Sequence, residues 1–148
     1  SGIGYEIARQ LGLHGAQVVI MGRRQQVLDE AVQALTKEGV QAAAFQGDVR
    51  KETDAVNAVA FVVKKFGGLD TLVNGAAGNF LANAAELAPK GFKTVMDIDA
   101  GGVFTLCHAC FESLKASQQG VIINISATLQ LPATWYQVHA SAAKAAID

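Results

Sequence analysis

Asp70-Thr-Leu-Val-Asn-Gly-Ala-Ala-Gly-Asn-Phe80 is the stretch on which the fold turns. Thr71 to Val73 has the composition of a short buried strand, entered from Gly67-Gly68 and left through Gly75-Ala-Ala-Gly78. Helical periodicity lies on both sides of it in sequence. A strand flanked that way belongs in the middle of a parallel sheet, apolar on both faces. The residues past its carboxyl end have almost no side chains, so a flat ligand could lie against their backbone. Open α/β sheets bind ligands at that end of their strands. Asn74 to Gly78 is therefore expected to carry a cofactor, with the rest of the chain as its scaffold.

Working outward toward the amino terminus, Lys51–Phe66 reads as a helix, with Lys64-Lys65 suited to its dipole. Before it come a strand over Val40–Phe45 and the segment Gly47-Asp48-Val49-Arg50. A helix is predicted over Arg24–Lys37, its core face carrying Val27, Leu28, Ala31 and Leu35. A strand over Ala16–Met21 precedes that helix. The chain opens on a helix, Ser1–Leu13, with Ile3, Ile7, Ala8 and Leu11 on one face. Toward the carboxyl terminus, two separate helices are predicted over Pro89–Ile98 and Gly102–Ser117. A strand over Val121–Ile125 and a helix over Tyr136–Asp148 follow. This order predicts an α/β, Rossmann-type doubly wound parallel sheet with right-handed crossovers. Because Ser1-Gly2-Ile3-Gly4 opens directly on a glycine turn and Asp148 falls inside a helical pattern, residues 1–148 read as a partial domain. The first strand and the carboxyl-terminal part are expected to be missing.

The chain is 51% hydrophobic and 17% charged, which suits one buried core. Its net charge is −1 and it has no basic stripe, which argues against a nucleic-acid partner. No apolar run reaches the ~18 residues of a membrane span. Cys107 and Cys110 do not make a disulfide framework, which fits a reducing compartment. Cys107-His-Ala-Cys110 has redox or metal-ligand spacing. It sits in an apolar helix with no second ligand pair, so core cysteines are the better reading and no metal site is expected.

Three signals point to a dinucleotide. At Ser1-Gly2-Ile3-Gly4, a glycine turn at a helix start would let backbone N–H groups and the helix dipole face a pyrophosphate. Only half of a glycine fingerprint is present, and a turn glycine plus a packing glycine explains it equally well. At Gly22-Arg23-Arg24, the acidic residue that binds ribose hydroxyls in such folds is replaced by arginines, which accept a 2′-phosphate. Cations at a helix amino terminus oppose the dipole, so an anionic partner, NADP(H) rather than NAD(H), is expected there. Asp48 could accept from an adenine amino group with Val49 beside the ring, or Asp48 could simply cap the next helix.

These motifs together resemble the short-chain dehydrogenase/reductase superfamily, from just after its first strand to the middle of its active-site helix. The resemblance rests on Ser-Gly-Ile-Gly, Gly-Asp-Val, Leu-Val-Asn-Gly-Ala-Ala-Gly and Ser141-Ala-Ala-Lys-Ala-Ala146. Within the superfamily the chain is similar to peroxisomal 2,4-dienoyl-CoA reductases, the plant-type ones above all. That narrower likeness rests on Ala76-Ala-Gly-Asn-Phe80, Phe92-Lys-Thr-Val-Met-Asp-Ile-Asp99, Asn124-Ile-Ser-Ala-Thr-Leu129 and Gln137-Val-His-Ala140. Most superfamily members carry a catalytic Tyr four residues before the Lys and a Ser about thirteen before that Tyr. Here those positions are Ala140 and Ala127, and the usual Asn of the preceding helix is Asp99. The same departures mark the dienoyl-CoA reductases.

Reducing a conjugated dienoyl thioester puts hydride at the far end of the conjugated system and negative charge on the thioester oxygen. No alcohol oxygen needs a proton, so a phenol is dispensable. Lys144 can hold the nicotinamide ribose and stabilise negative charge, and Asp99 can supply the proton to carbon, directly or through a water. The competing readings are a solvated lysine and a helix cap before Gly101-Gly102. The resemblance implies a cofactor site at Ser1, Gly2, Ile3, Gly4, Arg23, Asp48, Val49, Asn74, Ala76 and Lys144. It also implies acyl or CoA contacts from Arg50, Phe80 and Lys90. Tyr136 is a weaker candidate as proton donor, and His139 is expected to pack or hydrogen-bond locally. The implied activity is NADPH-dependent reduction of 2,4-dienoyl-CoA to 3-enoyl-CoA, in a peroxisome, by a homo-oligomer. The alternatives are a trans-2-enoyl-CoA reductase or other short-chain oxidoreductase, and a non-catalytic NADP-binding regulator.

Overall fold

Apolar residues at helical spacing alternate with short β-branched runs along the chain, and the backbone follows that alternation. The computed structural model describes residues 2–129, 131 and 133–148. Helix α1 (Ile3–Leu13) leads into strand β1 (Val18–Gly22), α2 (Gln25–Lys37), β2 (Ala42–Gln46), α3 (Glu52–Phe66) and β3 (Thr71–Asn74). Then come α4 (Pro89–Met96), a π-helical segment (Asp97–Gly101), α5 (Gly102–Ser117), β4 (Val121–Asn124) and α6 (Val138–Ile147). No helix among the described residues is long and apolar enough to cross a membrane.

All strand pairing is parallel, as the βα alternation requires. Strand β1 pairs with β2 from Val18↔Ala42 to Gly22↔Gln46. Strand β3 pairs with β4 from Thr71↔Val121 to Asn74↔Asn124. These are two two-stranded sheets among the described residues, not one continuous sheet. Among the described residues, strand β3 therefore has a neighbour on one side only. The expectation that it is buried on both faces is corrected: Thr71 is exposed, Leu72 and Val73 are half-buried, and Asn74 alone is buried. The apolar residues of β4 (Val121, Ile122 and Ile123) are all exposed.

Around β1 and β2 the core is Val18, Leu35 and Val40, with Tyr5, Ala8, Ile20 and Ala42 packed against it. Helix α2 buries Leu28 and Leu35, two residues of its expected face. Helix α1 departs from expectation. Ile3 and Leu11 are exposed, while Ala8 of the expected face packs against the core together with Tyr5.

The largest departure lies between α4 and α5. Gly101-Gly102 reads as a break, since glycine is a poor helix former. The chain instead runs through without interruption, and Gly101 and Gly102 both have right-handed helical angles. Gly102 is there for space. A Cβ on it would lie 2.7 Å from Cγ2 of Val49, so glycine lets the start of α5 close on the loop after β2.

Candidate active site

Asn74 ends β3 and is 4% exposed. Its Nδ2 donates to Oδ1 of Asn124 at 2.9 Å, tying together the carboxyl ends of the paired strands, and also reaches Cys107 Sγ at 3.4 Å. Its own Oδ1 is buried without a hydrogen-bond partner among the described residues. Such an oxygen is costly unless something supplies a donor. Gly75, Ala76 and Ala77 follow as an exposed shelf. The Cα of Gly4 lies 4.0 Å from where a Cβ on Gly75 would be. The glycine turn before α1 thus faces the shelf, with Gly2 at its positive φ of 79° as the residue preceding the helix. Ile3 is exposed in the first turn. Ser1 lies outside the described residues.

Beyond the shelf, Gly78 donates its backbone N–H to Oδ1 of Asp99 at 2.6 Å. Asp99 lies in the π-helical segment and is 1% exposed. It is not a helix cap, since helix continues on both sides of it. Its Oδ2 stands 3.5 Å from Nζ of Lys144. Lys144 is 7% exposed, so the reading of a solvated lysine is corrected. Its ammonium also donates to the backbone oxygen of Ile125 at 3.1 Å, just past β4. A buried carboxylate and a buried ammonium are each unfavourable alone and tolerable together. Asp99 is the buried residue of the π-helical segment, and such segments recur at functional sites.

Just past the carboxyl ends of β1 and β2, Arg23, Gln46, Gly47, Asp48, Lys51 and Asp54 line an open cavity of about 290 Å³. Asp48 is paired with Arg50, whose Nε lies 2.9 Å from Oδ1 and whose Nη2 contacts Oδ2. That hydrogen bonding holds the Asp48 carboxyl down at about 2, against partial desolvation. Asp48 Oδ1 also accepts the Arg50 backbone N–H, and Asp54 Oδ2 accepts that of Asp48. Arg50 is thus committed to Asp48 here rather than standing free for a CoA phosphate. Val49 packs on Gly102. Lys51, in the same cavity as Arg23, escaped the sequence reading. The signal was available: it is a cation immediately before a helix, as Arg24 is.

Phe80 is 43% exposed and stacks on His139 with ring centroids 4.4 Å apart. His139 is fully buried, and its Nε2 is 2.9 Å from the backbone oxygen of Phe80. Its partner is therefore far away in sequence, not local as expected. Tyr136 precedes α6, has a left-handed φ of 61° and is 56% exposed. It does not share the Lys144 face of the helix. Lys90 is exposed in the first turn of α4. Ala140 is 2% exposed on α6 and Ala127 is exposed after β4. A second opening of about 350 Å³, lined by Gly67, Asp70 and Ser113 among others, lies at the amino-terminal end of β3, away from Asp99. No group of three or more His, Cys, Asp or Glu among the described residues could hold a metal ion.

A family model described as short chain dehydrogenase matches residues 1–148. Peroxisomal 2,4-dienoyl-CoA reductase [(3E)-enoyl-CoA-producing] of Arabidopsis thaliana is 57% identical, over 100% of this chain and 52% of that protein. The Mus musculus protein of the same name is 40% identical, over 100% of this chain and 51% of its own length. A crystal structure of an actinorhodin polyketide ketoreductase with NADPH superposes with a TM-score of 0.94 at 32% identity. That match covers 99% of this chain and 57% of the other. The chain spans about half the length of the curated relatives it matches.

Proposed function

Since the chain belongs to the short chain dehydrogenase family, we propose that its protein reduces 2,4-dienoyl-CoA to 3-enoyl-CoA with NADPH, in the peroxisome. The observation that carries this reading is the buried Asp99–Lys144 pair on Gly78, where Ala140 and Ala127 offer no hydroxyl for alcohol chemistry. The names of the relatives from Arabidopsis thaliana and Mus musculus support the substrate class and the compartment.

The residues present fit a nicotinamide dinucleotide. The bare shelf at Gly75–Ala77, the facing turn at Gly2–Gly4 and the unpaired Oδ1 of Asn74 suit a flat polar ligand. Arg23 and Lys51 in the cavity beside Asp48 suit a phosphate on its adenosine end, which favours NADPH over NADH. When bound, that cofactor supplies hydride. Lys144, already aimed at this end of the strands by Ile125, holds the ribose and keeps positive charge near the forming dienolate. Asp99 takes up a proton from water as the ligand parts it from Lys144 and gives that proton to carbon from Oδ2, directly or through a water, because Oδ1 is engaged by Gly78. Once the proton has left, the Gly78 N–H and the Lys144 ammonium stabilise the carboxylate left behind. The acyl group lies on the Phe80 side of the shelf, with Lys90 toward the CoA moiety. The active protein is a homo-oligomer.

The test is NADPH oxidation by the full-length protein with 2,4-dienoyl-CoA and with trans-2-enoyl-CoA. Turnover of the dienoyl thioester alone is expected. Turnover only of the monoenoyl thioester would replace this reading with the trans-2-enoyl-CoA reductase. NADPH binding without turnover of either would make the protein a non-catalytic NADP-binding regulator.

A further inference from the structure

The segment from Gly78 to Ala82 is bound to the start of α6 at three successive points. Asn79 Nδ2 donates to Oε1 of Gln137. His139 meets the backbone oxygen of Phe80 at 2.9 Å. The Ala82 N–H donates to the Tyr136 carbonyl at 2.9 Å. A carbonyl can only accept, so His139 Nε2 carries the hydrogen, the ring is the neutral tautomer or the cation, and Nε2 cannot act as a base toward anything else. His139 Nδ1 is buried without a hydrogen-bond partner among the described residues. The imidazole lies against the Phe80 ring at an interplanar angle of 26°. On another side, a Cβ at Gly91 of α4 would lie 2.9 Å from Phe80 Cζ and 3.4 Å from Leu87 Cδ1. The Phe80 ring is thus held between a buried imidazole and a bare stretch of helix backbone, yet it is 43% exposed and keeps one side open.

The same short segment begins at Gly78, whose N–H holds the carboxylate of Asp99. One end of it is therefore fixed to the proposed acid and its middle to His139. We propose that His139 is a positioning residue that clasps Phe80 as the wall of the acyl subsite and so sets which acyl chains are accepted. This inference rests on the dienoyl-CoA reading of the site. His139 is bonded to Phe80, whereas the acid is bonded to Gly78 and faces Lys144. It acts through Phe80, by fixing how far the apolar wall stands from Asp99 and hence where along the acyl chain the reaction falls. Lost clasping loosens the wall for substrate and transition state alike, which appears in KM more than in kcat.

The experiment compares full-length wild type, His139→Leu, His139→Gln and Gly91→Ala with a short and a long 2,4-dienoyl-CoA. His139→Leu should raise KM about tenfold, the worth of one good hydrogen bond, and change the ratio of KM between the two substrates. NADPH affinity should be unchanged. His139→Gln keeps a donor for the Phe80 carbonyl and should restore most of the wild-type ratio. Gly91→Ala pushes Phe80 from the opposite side without touching α6 and should also change the ratio. If His139→Leu melts early or loses NADPH binding, Gly91→Ala decides. An unchanged ratio in Gly91→Ala and in every folded His139 variant overturns the clasp while leaving the dienoyl-CoA reading intact. A wild type inactive on both substrates overturns the two together.

Discussion

Oδ2 of Asp99 and Nζ of Lys144 stand 3.5 Å apart, with 1% and 7% of the two residues exposed. The distance is long for a direct hydrogen bond and still within ion-pair range. Each group has a better hydrogen bond elsewhere: Asp99 with the Gly78 N–H and Lys144 with the Ile125 carbonyl. The two charges compensate each other while neither is locked to the other. That arrangement suits a pair that must exchange partners when a ligand enters.

Replacing Asp99 by Asn separates proton donation from structure. Asn keeps the shape and an oxygen for the Gly78 N–H but cannot give up a proton at neutral pH. We expect kcat to fall by roughly 10²–10⁴, the usual worth of general acid catalysis, with NADPH affinity nearly unchanged. Stopped-flow NADPH oxidation with a dienoyl-CoA checks it. Full activity in Asp99→Asn with a large loss in Tyr136→Phe would transfer the acid role to Tyr136.

Lys144→Met removes the cation and keeps most of the volume. It should impair both rate and NADPH binding. It should also destabilise the protein by about 3–5 kcal/mol, the cost of leaving one member of a buried pair alone. Adding Asp99→Asn should recover part of that loss, because the stranded charge is gone. Denaturant titration of the single and double variants measures the coupling, and strict additivity would count against the pair.

For Arg23→Ala, the NADPH KM should rise while NADH is spared, because only the 2′-phosphate is lost as a partner. Lys51→Ala should act in the same direction, since it lines the same cavity. Steady-state kinetics with both cofactors decides. Equal use of NADPH and NADH by the unmutated protein would overturn the assignment.

Asp48 titrates at about 2 because Arg50 hydrogen-bonds its carboxylate, below the ordinary value of ~3.9. A depressed native value contributes stability above the ordinary value and loses it as pH falls through about 2. Arg50→Gln should therefore move acid unfolding to higher pH. The shift should be small and should shrink in salt, since the Arg50 side chain is 37% exposed. Acid titrations by circular dichroism at low and high salt test this, and coincident low-salt curves would contradict it.

Much of the fold was legible because glycine and apolar spacing act locally. Leu28 and Leu35 announce their face of α2, and Gly75-Ala-Ala-Gly78 announces the shelf. The misreadings involve partners distant in sequence. Gly101-Gly102 reads as a break because propensity ignores Val49, whose closeness is what demands a glycine. His139 reads as a locally bonded helix residue, and nothing on its helix reveals the carbonyl of Phe80. Ile3 and Leu11 form an apolar face, but sequence periodicity does not say how much of that face the sheet covers. At the site, Asp99 and Lys144 stood out through the resemblance. The interposition of Gly78 between shelf and acid did not, since a backbone N–H leaves no mark on a sequence pattern.

The π-helical segment at Asp97–Gly101 also constrains how this gene can change. A π turn takes up about one residue more than an α turn, and one residue is worth ~100° of rotation about a helix axis. Val95 before the segment and Cys110 and Leu114 after it are all buried, so the two halves are held in different phase. Deleting a single codon here would restore an unbroken α-helix, which local propensity would welcome. It would also swing one half a quarter-turn or more, turning either the apolar seam of α5 or the carboxylate of Asp99 out toward water. Reading-frame-preserving deletions in this segment should therefore be far rarer than substitutions at the same codons.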